Sequence, residues 1–143
     1  MAHRHPVTAV ATTVLTIVVG VTAHAQHATP PSTRASRAVY TEAQATRGEA
    51  AYRANCTSCH ATSAHTGKAF MSAWESRTAF DLFELIRTTM PIDNPGRLSR
   101  EQYADIVAYL FKLNRLPAGD RPLPVDDEGL KQIRIEATPT PTP

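Results

Sequence analysis

The chain has two cysteines, and both fall in Cys56-Thr-Ser-Cys59-His60. Two thiols three residues apart, with a histidine directly after the second, give the spacing for covalent attachment of a c-type haem. On a helical turn, residues three apart share a side, so both sulfurs can reach the two vinyl groups while His60 turns its imidazole toward the iron. Two other chemistries use Cys-x-x-Cys. A thioredoxin-like pair leaves His60 idle and needs a strand-helix unit that this sequence lacks. A zinc site needs further Cys or His ligands, and beyond residue 25 only His27 and His65 remain.

The sixth position on such an iron decides between electron transfer and ligand chemistry. Met90 lies thirty residues beyond His60, and Pro91 biases it toward an extended backbone that can project a thioether across a haem. Met71 lies eleven residues beyond His60, beside Phe70 and near Trp74, where methionine usually fills core space. His65 is a poorer ligand, because five residues span at most ~17 Å and the chain would have to wrap the macrocycle edge. It reads as an exposed loop histidine. Met90 is therefore the favoured partner of His60. A His/Met pair makes the iron six-coordinate, raises its potential and leaves no free position for a substrate. That describes a one-electron carrier rather than an enzyme. The alternative is a displaceable Met90 in a haem ligand-binding or peroxidase-like protein, although the chain has no good distal base.

Three helical patterns surround these residues, each opened by a hydroxyl residue with Gln or Asp three positions on. The first starts at Thr41 with Gln44 in the reciprocal place, and Gly48 inside it marks close packing. The second starts at Thr78 with Asp81; Ala79, Leu82, Phe83 and Ile86 share one face, and it ends before Met90-Pro91. The third starts at Ser99 with Gln102; Tyr103, Ile106, Val107 and Leu110 repeat that spacing before Asn114 and Pro117 stop it. No stretch shows sustained strand alternation. The sequence predicts an all-α domain whose helices are too few and short to enclose much apolar volume, so that a buried haem supplies the missing core. Residues Pro117 to Ile135 read as a packing extension ending in a short helix.

Together these residues resemble the class I, single-haem c cytochromes: Gly48 and Tyr52 before Cys-x-x-Cys-His, a Met-Pro pair after the middle helix, and an aromatic-bearing last helix. The resemblance implies a cytochrome c-like fold, three main helices around one covalently attached haem, with Gly48 and Tyr52 at a crossing with Tyr109 or Leu110. The stretches Thr89-Met90-Pro91, Pro95-Gly96-Arg97-Leu98-Ser99, Tyr103 to Leu110, Asn114 and Leu116-Pro117-Ala118-Gly119, continuing to Ile133-Arg134-Ile135, are similar to cytochrome partners or domains of quinoprotein (pyrroloquinoline quinone) dehydrogenases. That likeness implies an exported dehydrogenase as donor and an oxidase or another cytochrome as acceptor, or a place as electron-transfer subunit of a larger oxidoreductase. Many family members carry a Gly-Pro pair after the haem histidine, whose carbonyl orients the imidazole. Here the loop from Ala61 to Ala69 has Gly67 and no proline, so the partner of His60 is unassigned. Relatives often have glycine where this chain has Arg115.

The ends carry no core. Arg4 precedes an uncharged run from Val7 to Val21, too short to cross a bilayer, and Ala23-His24-Ala25 suits a signal peptidase. Residues 1–25 are expected to be a cleaved signal peptide and residues 26–38 a flexible linker. Residues 39–135 form the expected cytochrome domain with its extension, and 136–143 a disordered Thr/Pro tail. These segments imply a periplasmic protein with no stable membrane insertion after cleavage. Losing the leader removes Arg4 alone among charged residues and leaves 14 Lys+Arg against 13 Asp+Glu. A chain so near neutrality gives no support to nucleic-acid binding. Lys68, Arg77, Arg87, Arg97 and Arg100 read as solvated charges or as a positive docking face. Trp74 reads either as a hydrogen-bond donor to a haem propionate or as a wedge against the ring.

Overall fold

Three side-chain oxygens start the three long helices. In the computed structural model, Thr41, Thr78 and Ser99 hold extended backbone, and each accepts a hydrogen bond from the N–H three residues on. The helices that follow are α1 (Glu42–Asn55), α3 (Ala79–Thr89) and α4 (Arg100–Leu113). Asp81 and Gln102 return the bond to the cap backbone and complete reciprocal boxes. Gln44 does not. Its buried amide instead donates to the Leu123 carbonyl (3.1 Å) and accepts from the Leu123 N–H (2.7 Å), tying α1 to the C-terminal extension.

Two shorter helices complete the set, α2 (Gly67–Trp74) and α5 (Asp127–Lys131), with a 3₁₀ turn at Thr62–His65. The structure describes residues 38–137, together with Met1 and the backbone of residues 33 and 34. The signal peptide assigned to residues 1–25, most of the 26–38 linker and nearly all of the 136–143 tail lie outside the described residues. Within the linker, β1 (Thr33–Arg34) pairs in parallel with β2 (Ile133–Arg134). The domain is all-α in character, with a cytochrome c-like arrangement of its three long helices.

Helices α1 and α4 make the closest crossing. A Cβ on Gly48 would stand 1.8 Å from the Asp105 carbonyl oxygen and 3.0 Å from the Tyr109 Cβ, so only glycine allows the approach. Tyr52, one turn on, packs its ring 5.5 Å from that of Tyr109. Arg47 clamps the same crossing with a two-pronged pair to the mostly buried Asp105, at 2.8 and 2.9 Å.

Helix α4 is more deeply embedded than its one-face spacing implies, since every residue from Tyr103 to Phe111 is buried. Helices α1 and α3 pack on it, and the extension joins the same core. Leu116, Leu123, Leu130, Ile133 and Ile135 are all buried in the same core cluster as α4, and the Tyr40 hydroxyl donates to the Leu116 carbonyl at 2.7 Å. Burial pushes the Tyr40 phenol up to about 12, with the nearby Glu42 charge adding to it. Residues 116–135 thus add to the core that the three long helices form, beside the space left for a haem. The extension also closes on the α2–α3 connection, where the Ser76 N–H donates to the Ile135 carbonyl and the Ile135 N–H to that of Arg77, both at 2.8 Å.

Candidate functional site

Beyond the crossing, α1 runs out at Asn55 and the motif begins. Cys56 is the C-cap, its N–H bonded to the Tyr52 carbonyl, and the Cys59 and His60 N–H groups both return to the Cys56 carbonyl at 3.1 and 2.9 Å. One tight turn therefore carries all three residues. The cysteines are not joined to each other; Cys56 is half-buried and Cys59 exposed. Burial raises the Cys56 thiol above its ordinary value, against an opposing pull from the Arg97 charge.

Cys56, Cys59 and His60 line a cavity of about 710 Å³, and Met90 lines it too. Most of its other walls are apolar, with Phe70, Trp74, Leu82, Ile86, Ile106 and Leu110 among them. A space of this size and lining suits a large flat apolar group with a few fixed polar contacts. Two thiols, an imidazole and a thioether on its walls match the donor chemistry of a thioether-linked haem. The residues present fit the group.

Met90 is the C-cap of α3, in extended conformation (φ −128°, ψ 149°) as Pro91 requires of its neighbour. Its N–H is bonded to the Ile86 carbonyl, and its own carbonyl accepts the Tyr103 hydroxyl at 2.8 Å. Met71 sits mid-way along α2, half-buried against the core, and is not among the residues lining the cavity. Trp74 does line it, and the Arg77 guanidinium covers its ring at 4.7 Å.

His65 departs from the exposed loop histidine of the sequence reading. It is half-buried on the cavity wall, its ring 5.0 Å from that of His60 and edge-on to Tyr52 at 6.1 Å. Burial, and then the charge of His60, hold its pKa below the ordinary histidine value. The segment from Ala61 to Ala69 is likewise not an open loop, since the 3₁₀ turn and the start of α2 occupy it. Phe70 and Trp74, four apart, are the signal in the sequence that reveals α2.

Asn114 holds this segment in place, a role beyond that of a helix stop. Its amide accepts from the Gly67 N–H (2.9 Å) and donates to the His65 and Leu110 carbonyls at 2.9 and 2.8 Å. The next residue, Arg115, has φ 60°, a left-handed backbone that glycine adopts without strain.

Three of the five cations have partners of their own. Arg87 is paired with Glu84, Arg100 with Asp127, and Arg77 lies over Trp74. Of the five, Arg97 alone lines the cavity, and it donates to Asn55 at 2.8 Å.

Residues 43–110 match the model of the family described as cytochrome c oxidase, cbb3-type, subunit III. No curated protein and no solved structure matches the chain. With the helical fold, the match supports a cytochrome c family domain over residues 43–110, which implies a covalently attached haem c with its iron. Such a domain supports electron transfer.

Proposed function

We propose that the chain is a periplasmic one-electron carrier in which Cys56 and Cys59 hold the haem by thioether bonds and His60 and Met90 are its axial ligands. The observation that carries this reading is the single cavity lined by all four residues, two of them thirty positions apart in sequence. When bound, the haem would supply a one-electron Fe(III)/Fe(II) couple, and ligation by a neutral thioether as well as an imidazole would favour the ferrous form. The protein's part is to keep both axial side chains fixed in either oxidation state. Tyr103 anchors the Met90 carbonyl, and Phe70, Leu82 and Ile106 keep water from the interior of the cavity. With His60 and Met90 both holding the iron, no position would be left for a substrate, and the chain would act as a carrier rather than an enzyme.

Export follows from the leader at residues 1–25; among the described residues no helix is long and apolar enough to cross a membrane. The donor is an exported dehydrogenase, a quinoprotein on the likeness of residues 89–119, and the acceptor an oxidase or another cytochrome. A second reading, a subunit of a larger oxidoreductase, draws support from the family description, which names an oxidase subunit. Size-exclusion chromatography of the native protein from its membrane and soluble fractions separates the two.

The decisive experiment compares ferric and ferrous absorption spectra of haem-loaded wild type and Met90→Ala. A far-red sulfur-to-iron band present in the wild type and lost in the variant is the expected result. Its absence from the wild type, with rapid carbon monoxide binding to the ferrous form, would move the function to ligand binding.

A further inference from the structure

A histidine bound to a metal keeps its tautomer and ring plane through a partner on its other nitrogen, usually a carboxylate, a backbone carbonyl or a water. The segment after His60 offers no carboxylate before Glu75. What stands beside His60 is a second imidazole. The His60 and His65 ring centres are 5.0 Å apart, with planes inclined by 56°. Two imidazoles joined by an N–H···N bond of about 2.9 Å have ring centres roughly 5 Å apart, so the two rings stand at the separation such a bond needs, although no hydrogen bond joins them in the structure.

His65 is placed by parts of the molecule that do not depend on its own segment. Asn114, at the end of α4, takes the His65 carbonyl and the Gly67 N–H together. Tyr52, on α1, meets the His65 ring edge-on and points its hydroxyl at the His60 carbonyl, 3.4 Å away. Both helices are locked by the Gly48 crossing. Residues 61–64 are exposed, yet His65 is turned inward against the motif histidine.

We propose that His65 is the positioning residue for His60: one nitrogen of its imidazole accepts the Nδ1–H of His60 when His60 holds the iron through Nε2. The inference rests on the reading of His60 as an iron ligand. A neutral imidazole has one such acceptor nitrogen. The bond fixes the plane of the His60 ring and makes it a stronger donor, which favours ferric iron and lowers the reduction potential.

The test uses the full haem-loaded chain with ¹⁵N-labelled histidine, reduced so that the iron is diamagnetic. A scalar coupling across the hydrogen bond, between His60 Nδ1 and a His65 ring nitrogen, is the expected result. No coupling, in a protein whose spectrum is that of low-spin six-coordinate haem, overturns the role of His65 and leaves the His60/Met90 reading intact. A wild-type spectrum that is not low-spin overturns both. Two variants give a second readout. His65→Phe keeps a ring and removes the acceptor, and is expected to shift the ferric/ferrous balance about tenfold toward ferrous iron, about 59 mV upward in potential. His65→Gln, whose amide oxygen accepts, is expected to recover most of that shift. An unchanged potential in His65→Phe also overturns the proposal, and if that variant does not mature, the coupling in the wild type decides.

Discussion

Two of the segments that line the cavity are built differently. Cys56, Cys59 and His60 sit where α1 has ended, on a turn held by two bonds to one carbonyl, with Cys59 exposed. Met90 caps a helix with a complete capping box at its other end, and its carbonyl is pinned by a buried tyrosine. Under the proposed ligation, the difference would follow from how each is joined to the haem. Thioether bonds fix the motif once they form, so the fold need only bring the turn near the cofactor. A thioether ligand is weak and reversible, so its position has to be preformed by the polypeptide.

The change with the largest expected effect removes the comparison by disturbing both segments. Gly48→Ala drives a Cβ into the Asp105 carbonyl and forces α1 from α4, at a cost of about 3 kcal/mol. A lower melting temperature is expected, with reduced haem attachment and a weakened far-red band together. Asn114→Ala is expected to act on the motif side alone. It frees the Gly67 N–H and the His65 carbonyl and costs about 2 kcal/mol. Faster amide hydrogen exchange over residues 61–68 with an unchanged far-red band is the expected pattern; loss of the band would show that the two segments are coupled.

Tyr103→Phe should do the reverse. Losing the hydroxyl leaves the Met90 carbonyl without its partner, costs about 1 kcal/mol and speeds carbon monoxide binding to the ferrous form, with haem attachment intact. Acid should also act through the methionine side. Burial raises the Asp81 pKa, but the Thr78 hydrogen bonds and then Arg77 and Arg134 more than offset this and leave it below its ordinary 3.8. The bonds of Asp81 to the helix cap therefore stabilise the fold above about pH 3.8 and are lost as pH falls through the lower folded value. Asp81→Asn should flatten acid unfolding measured by circular dichroism in that range. The smallest expected effect is a gain. Arg115→Gly relieves a left-handed arginine at the end of α4 and should raise stability by about 0.5 kcal/mol, read as a slightly higher melting temperature.

The sequence itself determined what depends on neighbours along the chain. The haem motif is a spacing of three and four residues, the helix starts are hydroxyls with their partners three positions on, and Pro91 sets the extended backbone of Met90. Gly48 signals a close approach because no other residue tolerates one. Each of these is a local steric or hydrogen-bonding rule, legible without knowing what packs where. Tertiary structure alone decided the rest. Gln44 has the right place for a capping box, yet Leu123, 79 residues away, takes its amide. His65 looks like a loop residue until Tyr52 and Asn114 turn it toward His60. Arg100 looks like a free surface charge until Asp127, 27 residues on, pairs with it. The physical reason is common to all three: a polar side chain's role is set by which partner relieves its burial or its charge, and that partner is a distant part of the chain brought close only by folding.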